Sequence, residues 1–360
     1  MKLTRFKNFY LLLFLLLFLF IFAGLYFEGL QPPSQNKNLP PKIIEIQRGE
    51  GLLDIAQKLY EHGIIKNRVV FIIEALRSGK NKEFKAGEYA FYPYQTIHEI
   101  IDIIAKGKVF QRRITVIEGA TLWQIAEILE KEGICSKEEF LKWAENKEFL
   151  RELGIPFDTA EGFLFPDTYF FPKNTPCPQV ISTMVRNFWR KWKSLEPLAQ
   201  KSNLTLREIV ILASIVEKEA FYDSEKPIIA AVYLNRLKKG MPLQADPTIN
   251  YALKSFRRLT YKDYRSVKSP YNTYLHNGLP PTPIGNPSLS SLKAVLTPAN
   301  VPYLYFVADG TGKHIFSKTY KEHLKAINKV RKTPPPEKLE AINEETMTEN
   351  SQKDNLSILR

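Results

Sequence analysis

Hydrophobic positions follow three regimes along the chain. From Asn8 to Phe27, 20 consecutive residues carry no charge and most are Leu, Phe or Ile. As a helix such a run covers about 30 Å, the hydrocarbon thickness of a bilayer. Lys2, Arg5 and Lys7 precede it and Glu28 follows. Positive charge stays on the cytoplasmic side, so the pattern predicts a cytoplasmic start and transmembrane helix over residues 1–27, with the bulk of the chain on the outer side. A cleaved leader fits less well, because its apolar core would be shorter and Ala23-Gly24-Leu25 makes a poor cleavage site. Residues 28–42 hold Pro32, Pro33, Pro40 and Pro41 and read as a stiff, solvated linker. Residues 333–360 open on Pro334-Pro335-Pro336 and stay polar, which predicts a disordered tail.

Between these ends the pattern switches repeatedly from period two to period 3.6. Ile44-Glu45-Ile46 alternates like a strand, and Leu52, Ile55, Ala56 and Leu59 follow at helical spacing before Gly63-Ile64. The same series recurs 70 residues later as Ile114-Thr115-Val116, Leu122, Ile125, Ala126, Leu129 and Gly133-Ile134. After the first copy come a helix near 68–78 and a strand near 87–91, completing a small α+β module over 43–110. Its strand–helix–helix–strand order resembles the LysM modules that bind N-acetylglucosamine polymers; a spacer would show the same pattern.

The remaining stretch, 111–332, reads as a larger α+β domain. Ser136-Lys137-Glu138-Glu139 opens a helix with an acidic first turn. Tyr303–Val307 and His314–Phe316 flank Asp309-Gly310-Thr311-Gly312 and predict a hairpin. Thr205-x-x-Glu208 is a capping box ahead of the apolar run Ile209–Val216, predicting a largely buried helix that ends in Glu217-Lys218-Glu219. Glu217 and Glu219 lie about 200° apart and leave that helix among apolar neighbours on different faces. A partly desolvated carboxyl at a helix C-terminus has its pKa raised twice over, which suits a general acid at neutral pH. Salt-bridged rim glutamates, with Lys218, Lys226, Arg236 or Lys238 as partners, are the structural alternative. Chemistry alone does not choose between the two glutamates. A second helix over 225–239 stops at Gly240. Beyond it, loops rich in Gln, Asp, Tyr and Asn offer flat apolar faces and short polar arms of the kind that hold sugar rings.

Composition narrows the setting. The chain has 360 residues, 44% hydrophobic and 25% charged, which is globular and suits two or three domains. A net charge of +13 suits acidic polymers or anionic lipid heads. The basic residues are scattered and no nucleic-acid module appears, so no nucleic acid is expected. Two cysteines and five histidines show no zinc-type spacing, and no metal is expected. Cys135 and Cys177 are equally compatible with one bridge or two thiols.

Several motifs then occur in a fixed order: Ala213-Ser214-Ile215-Val216-Glu217-Lys218-Glu219, Asn235-Arg236-Leu237, Leu243-Gln244-Ala245-Asp246-Pro247-Thr248, Tyr271-Asn272-Thr273-Tyr274, Gly278-Leu279-Pro280-Pro281 and Tyr303–Ala308. Together with Glu161–Asp167 and Phe84–Gly87 they resemble the YceG-like endolytic murein transglycosylases over residues 40–330. The resemblance implies a peptidoglycan lyase of the periplasmic face of the inner membrane, acting on nascent glycan strands beside peptidoglycan synthases and needing no cofactor. It implies Glu219 as the catalytic acid. Gln244, Asp246, Tyr271, Asn272, Tyr274 and Glu217 are the expected glycan-positioning residues. Thr282 and Ser288 stand where many members have glycine. Two other readings remain at this point: a non-catalytic wall-binding protein, and a hydrolytic muramidase using Asp246 as a second carboxylate.

Overall fold

The computed structural model describes residues 2–332, with side chains from Tyr10 onward; the polar tail expected over 333–360 lies outside the described residues. The chain divides into two compact units, the first running to Arg112 and the second starting at Arg113.

The first unit comprises helix α1 (Lys2–Leu30), strand β1 (Lys42–Ile46), helices α2 (Leu52–Glu61) and α3 (Arg68–Ser78), strand β2 (Gly87–Phe91) and helix α4 (Ile97–Lys106). β1 and β2 pair antiparallel, with Lys42 opposite Phe91 and Ile46 opposite Gly87. Alternation puts Ile44 and Ile46 inward, where they meet Ile55, Leu59, Phe71 and Phe91 in the core. Residues 10–30 of α1 are long and apolar enough to cross a membrane. α1 also runs past the expected end at residue 27. Its last turn is not part of a free linker, because Tyr26 and Leu30 pack on the module's core. A Cβ at Gly29 would stand 2.7 Å from Val70, so this close approach needs glycine. Tyr26 donates its hydroxyl proton to Glu74, which is 1% exposed. Burial alone would raise the Glu74 carboxyl, but hydrogen bonds from Arg77, Tyr26 and His98 hold it near about 2.

The second unit opens with β3 (Arg112–Thr115), α5 (Leu122–Lys131), α6 (Lys137–Ala144), α7 (Lys147–Glu152), β4 (Thr168–Phe171) and α8 (Cys177–Trp192). It continues with α9 (Glu196–Ala199), α10 (Leu206–Glu219), α11 (Lys226–Lys238), α12 (Asp246–Ala252), α13 (Tyr261–Ser266) and α14 (Leu289–Leu296), and closes with β5 (Tyr305–Ala308), β6 (His314–Ser317) and α15 (Tyr320–Lys332). β3 pairs with β4, and β5 with β6 in an antiparallel hairpin. The fold is thus mixed helix and sheet, with three two-stranded sheets among the described residues. Cys135 and Cys177 are free thiols, Cys177 fully buried.

The repeat reaches further than its sequence match. α2 and α5 are both 10 residues long, and each is followed by a left-handed glycine, Gly63 at φ 61° and Gly133 at φ 67°. The order strand, helix, helix, strand, helix then recurs as β3, α5, α6, β4 and α8, with α7 inserted. On β2 the Tyr89 hydroxyl donates to the Lys85 carbonyl at 2.7 Å; on β4 Tyr169 donates to Phe165 at 2.5 Å. The Tyr89–Phe91 and Tyr169–Phe171 ring pairs stack alike, at 5.8 and 6.0 Å. The insertion shifts the spacing, which is why the sequence match fades after Ile134.

Candidate active site

The site is built on α10. The Thr205 hydroxyl accepts from the Glu208 amide at 3.3 Å and the Glu208 carboxylate accepts from the Thr205 amide at 2.7 Å, so Glu208 is a capping residue. Every side chain from Ile209 to Val216 is buried. Gly162, at φ 90°, lets the chain pass where a Cβ would come within 2.6 Å of Pro283 and 2.8 Å of Val210. Ser214 donates to the Ile211 carbonyl and accepts from the Ile284 amide at 3.0 Å, fixing the 282–285 turn against the helix. α10 is thereby held rigidly up to its last turn.

Three consecutive residues leave that turn in three directions, as a 100° step requires. Glu217 turns into protein. Its carboxylate takes the Lys226 ammonium at 2.9 Å and the Ser288 amide at 2.7 Å, and also the Ser288 hydroxyl. Both partners of the pair are nearly inaccessible, at 7% for Glu217 and 5% for Lys226. Burial alone would raise Glu217, yet Ser288 and Lys226 hold it below the usual carboxylate range. A carboxylate engaged in this way is an anchor between α10, α11 and α14. Glu217 does not line the cavity described next, so the geometry does not give it the glycan-positioning role expected from the sequence. Lys218 turns a further 100° around the helix and lays its ammonium over the Phe256 ring at 4.0 Å.

Glu219 faces a cavity of about 300 Å³, with Tyr233 and Arg236 on α11, Gln244, Asp246 and Tyr274. The Tyr233 hydroxyl donates to Glu219 Oε1 at 2.7 Å. The residue is only half-buried, so its other oxygen is left to the cavity. Burial pushes the carboxyl up to about 7; the Tyr233 hydrogen bond and the Arg236 charge act against this, and the Asp246 charge adds to it. Tyr233 itself is raised well above its ordinary value, by burial first, and stays a donor. The arrangement presents one protonatable oxygen to whatever enters, near neutrality.

Asp246 is different. Its two oxygens are each taken by a tyrosine hydroxyl, Tyr274 at 2.5 Å on Oδ1 and Tyr264 at 3.1 Å on Oδ2. Gln244 is exposed at the cavity wall with φ 50°, an uncommon left-handed geometry for a non-glycine residue. Its amide donates to the Thr273 carbonyl at 3.1 Å. The Arg236 guanidinium holds this loop too, donating to the Leu243 carbonyl at 2.6 Å and to Leu304 of the β5 approach at 2.7 Å.

The other two expected residues lie elsewhere. Asn272 is fully buried. Its amide nitrogen donates to the Tyr264 and Val267 carbonyls at 3.2 and 2.9 Å, and its oxygen accepts from the Tyr274 amide at 3.0 Å. It shapes the loop that carries Tyr274 and has no polar atom left over. Tyr271 lines a separate cavity and shares its hydroxyl with Thr282 at 2.6 Å. Thr282 and Ser288, the two departures from glycine, therefore both supply a hydroxyl to a local network.

Sequence reasoning did not single out Tyr233, Phe306, His314 or His323 as cavity residues. Tyr233 interrupts the apolar run Ile229–Val232, three residues before Arg236 and so on the same face of α11; a hydroxyl in that position is the one signal that would have found it. His314 reaches the cavity from β6, held at Nδ1 by Glu225 at 2.8 Å.

A protein from Bacillus subtilis named endolytic murein transglycosylase is 34% identical over 324 residues, covering 85% of this chain and 89% of the relative. One of the same name from Streptococcus pneumoniae is 27% identical over 86% of this chain, which spans 63% of that longer protein. The crystal structure of a yceG-like protein from Listeria monocytogenes aligns with a TM-score of 0.55 at 33% identity, over 81% of this chain and 99% of that one. The model of the YceG-like family matches residues 44–329, which takes in both units, and the chain belongs to that family.

Proposed function

We propose that this protein is a membrane-anchored endolytic lytic transglycosylase of peptidoglycan. It cuts the bond between MurNAc and GlcNAc within nascent glycan strands and leaves 1,6-anhydroMurNAc ends. The observation that carries the reading is the single carboxyl at the end of α10, raised to about 7, with one oxygen tied to Tyr233 and the other open to the cavity. The relatives' names support the substrate and the reaction class.

In this mechanism protonated Glu219 gives its proton to the glycosidic oxygen as the C1–O bond breaks, and GlcNAc leaves with a free hydroxyl. The MurNAc C6 hydroxyl closes on C1, and its proton passes to the Glu219 carboxylate, which restores the acid. The sugar supplies its own nucleophile, so one carboxyl serves both halves. A hydrolase would need a second carboxylate to activate water. Asp246 is the other acid lining the cavity among the described residues, and each of its oxygens already accepts a tyrosine hydroxyl. That geometry favours ring closure over hydrolysis. The exposed side-chain amide of Gln244 is the free polar arm offered to sugar hydroxyls at the cavity wall, and the Tyr274–Asp246 pair forms a fixed polar edge beside it.

The α1 helix would hold the catalytic unit on the outer face of the membrane, as the Lys2–Lys7 charges favour. The small module, which resembles LysM, would lie at the base of that helix and meet strands emerging from synthases. The test is mass spectrometry of purified glycan strands after digestion. The wild type gives fragments with anhydro ends and Glu219→Gln gives at most about a hundredth as many in the same time; fragments heavier by one water would establish hydrolysis instead.

A further inference from the structure

The second unit holds another cavity, of about 260 Å³, whose walls include Trp123 on α5, Tyr251 on α12 and Tyr271. Their rings form a continuous series, Trp123 to Tyr251 at 5.0 Å and Tyr251 to Tyr271 at 5.0 Å. All three are half-buried, so each keeps an accessible face. Glu161 fixes two of these walls at once. Its Oε2 accepts from the Tyr251 hydroxyl at 3.1 Å and from the amide of Leu122, next to Trp123, at 3.2 Å, while its Oε1 takes the Asn286 amide at 3.1 Å. The Thr282 hydroxyl fixes the third through Tyr271. Polar groups at the rim, Glu145, Thr159 and Ser269, complete a pocket of flat apolar faces with hydrogen-bonding edges.

Two elements join this pocket to the Glu219 cavity. α12 contributes Asp246 to one and Tyr251 to the other, about 7–8 Å apart along the helix axis and about 140° apart around it. The 271–274 loop likewise contributes Tyr274 to the first and Tyr271 to the second.

We propose that the Trp123–Tyr251–Tyr271 pocket is a distal subsite that stacks pyranose rings of the same glycan strand whose bond is cut at Glu219. The inference rests on the proposed function for its substrate, and it gives that reaction a physical basis for preferring internal bonds, since only a strand long enough to reach both pockets gains the second contact. A preformed aromatic wall adds binding without ordering cost.

The test uses the full-length protein in detergent carrying Glu219→Gln, so that binding is read without cleavage, with peptide-free glycan oligosaccharides of four and of ten sugars. The longer probe binds about tenfold more tightly than the shorter. Trp123→Ala reduces that ratio to near one, and so does Ala252→Trp, which fills the pocket without removing a wall; circular dichroism confirms that both variants are folded. A ratio unchanged in either folded variant, or one that appears only with probes bearing stem peptides, overturns the subsite. The proposed function fails on a separate result, the absence of anhydro ends from wild-type digests.

Discussion

Two glutamates separated by one residue have opposite electrostatic fates, and the difference lies in their donors. Glu217 meets an ammonium, an amide and a hydroxyl and is held ionised; Glu219 meets one tyrosine hydroxyl at the wall of a cavity, and burial pushes it toward neutrality. Removing either therefore has a different signature. Glu217→Ala leaves the buried Lys226 ammonium with Asp223 at 2.7 Å and the Ser290 hydroxyl at 2.9 Å but removes its buried carboxylate partner, and is expected to cost about 1.5–3 kcal/mol of stability. Glu219→Gln removes a carboxyl that folding disfavours in its charged form, and above neutral pH its melting temperature is expected to equal or exceed that of the wild type. Thermal unfolding of both variants at pH 8 checks the contrast; equal losses from the two would contradict the assignment of roles. The sequence could place both side chains at the end of a buried helix. It could not tell them apart, because Lys226 and Ser288 come to Glu217 from 9 and 71 residues away. Asn272 shows the same limit, since a buried loop-shaping asparagine and a ligand-facing one read alike in a polar segment.

At the level of elements, Glu161 is the node of the second unit. It gathers the start of α5, the end of α12 and the turn before α14 through three donors. Burial pushes its carboxyl up to about 8, against the Leu122 and Tyr251 hydrogen bonds and the Lys218 charge. The folded state thus holds a proton that the unfolded chain releases near the ordinary glutamate value. Between those two values the native state binds more protons, so stability falls as pH rises. This contribution is full below about 4.5 and is lost as pH passes through about 8. Glu161→Gln, which cannot ionise, is expected to flatten the decline; urea unfolding at intervals from pH 5 to 9 measures the slope, and a slope equal to that of the wild type counts against the node. The elements themselves were largely legible. Thr205 with Glu208, the strand–helix–glycine repeat and the β5–β6 turn are all local signals, and each element forms where its signal lies. The second half of the repeat was hidden because the insertion of α7 broke its spacing, although the Tyr–x–Phe pairs on β2 and β4 preserve it.

Across the whole molecule, the sequence pattern located a membrane-length helix, and the ordered motifs located the family. The end of the helix was less legible. Glu28 suggested a stop at residue 27, but one face of the last turn, with Tyr26, Gly29 and Leu30, is covered by the first unit's core, a contact that depends on Gly29 meeting Val70 and on Glu74 meeting Tyr26. The small module is therefore seated against the helix and not strung from it. For the family's chemistry, the account stands on one side chain: a carboxyl that is still a proton donor near neutral pH. The rate of anhydro-end formation as a function of pH, with saturating glycan strands, tests this directly. The expected rate holds up to about pH 7 and then falls about tenfold per unit as Glu219 ionises, and a Glu219→Gln variant is slower by at least about a hundredfold with no such limb. A wild-type rate that stays level through pH 9, or a Glu219→Gln variant that keeps the same alkaline limb, would contradict it.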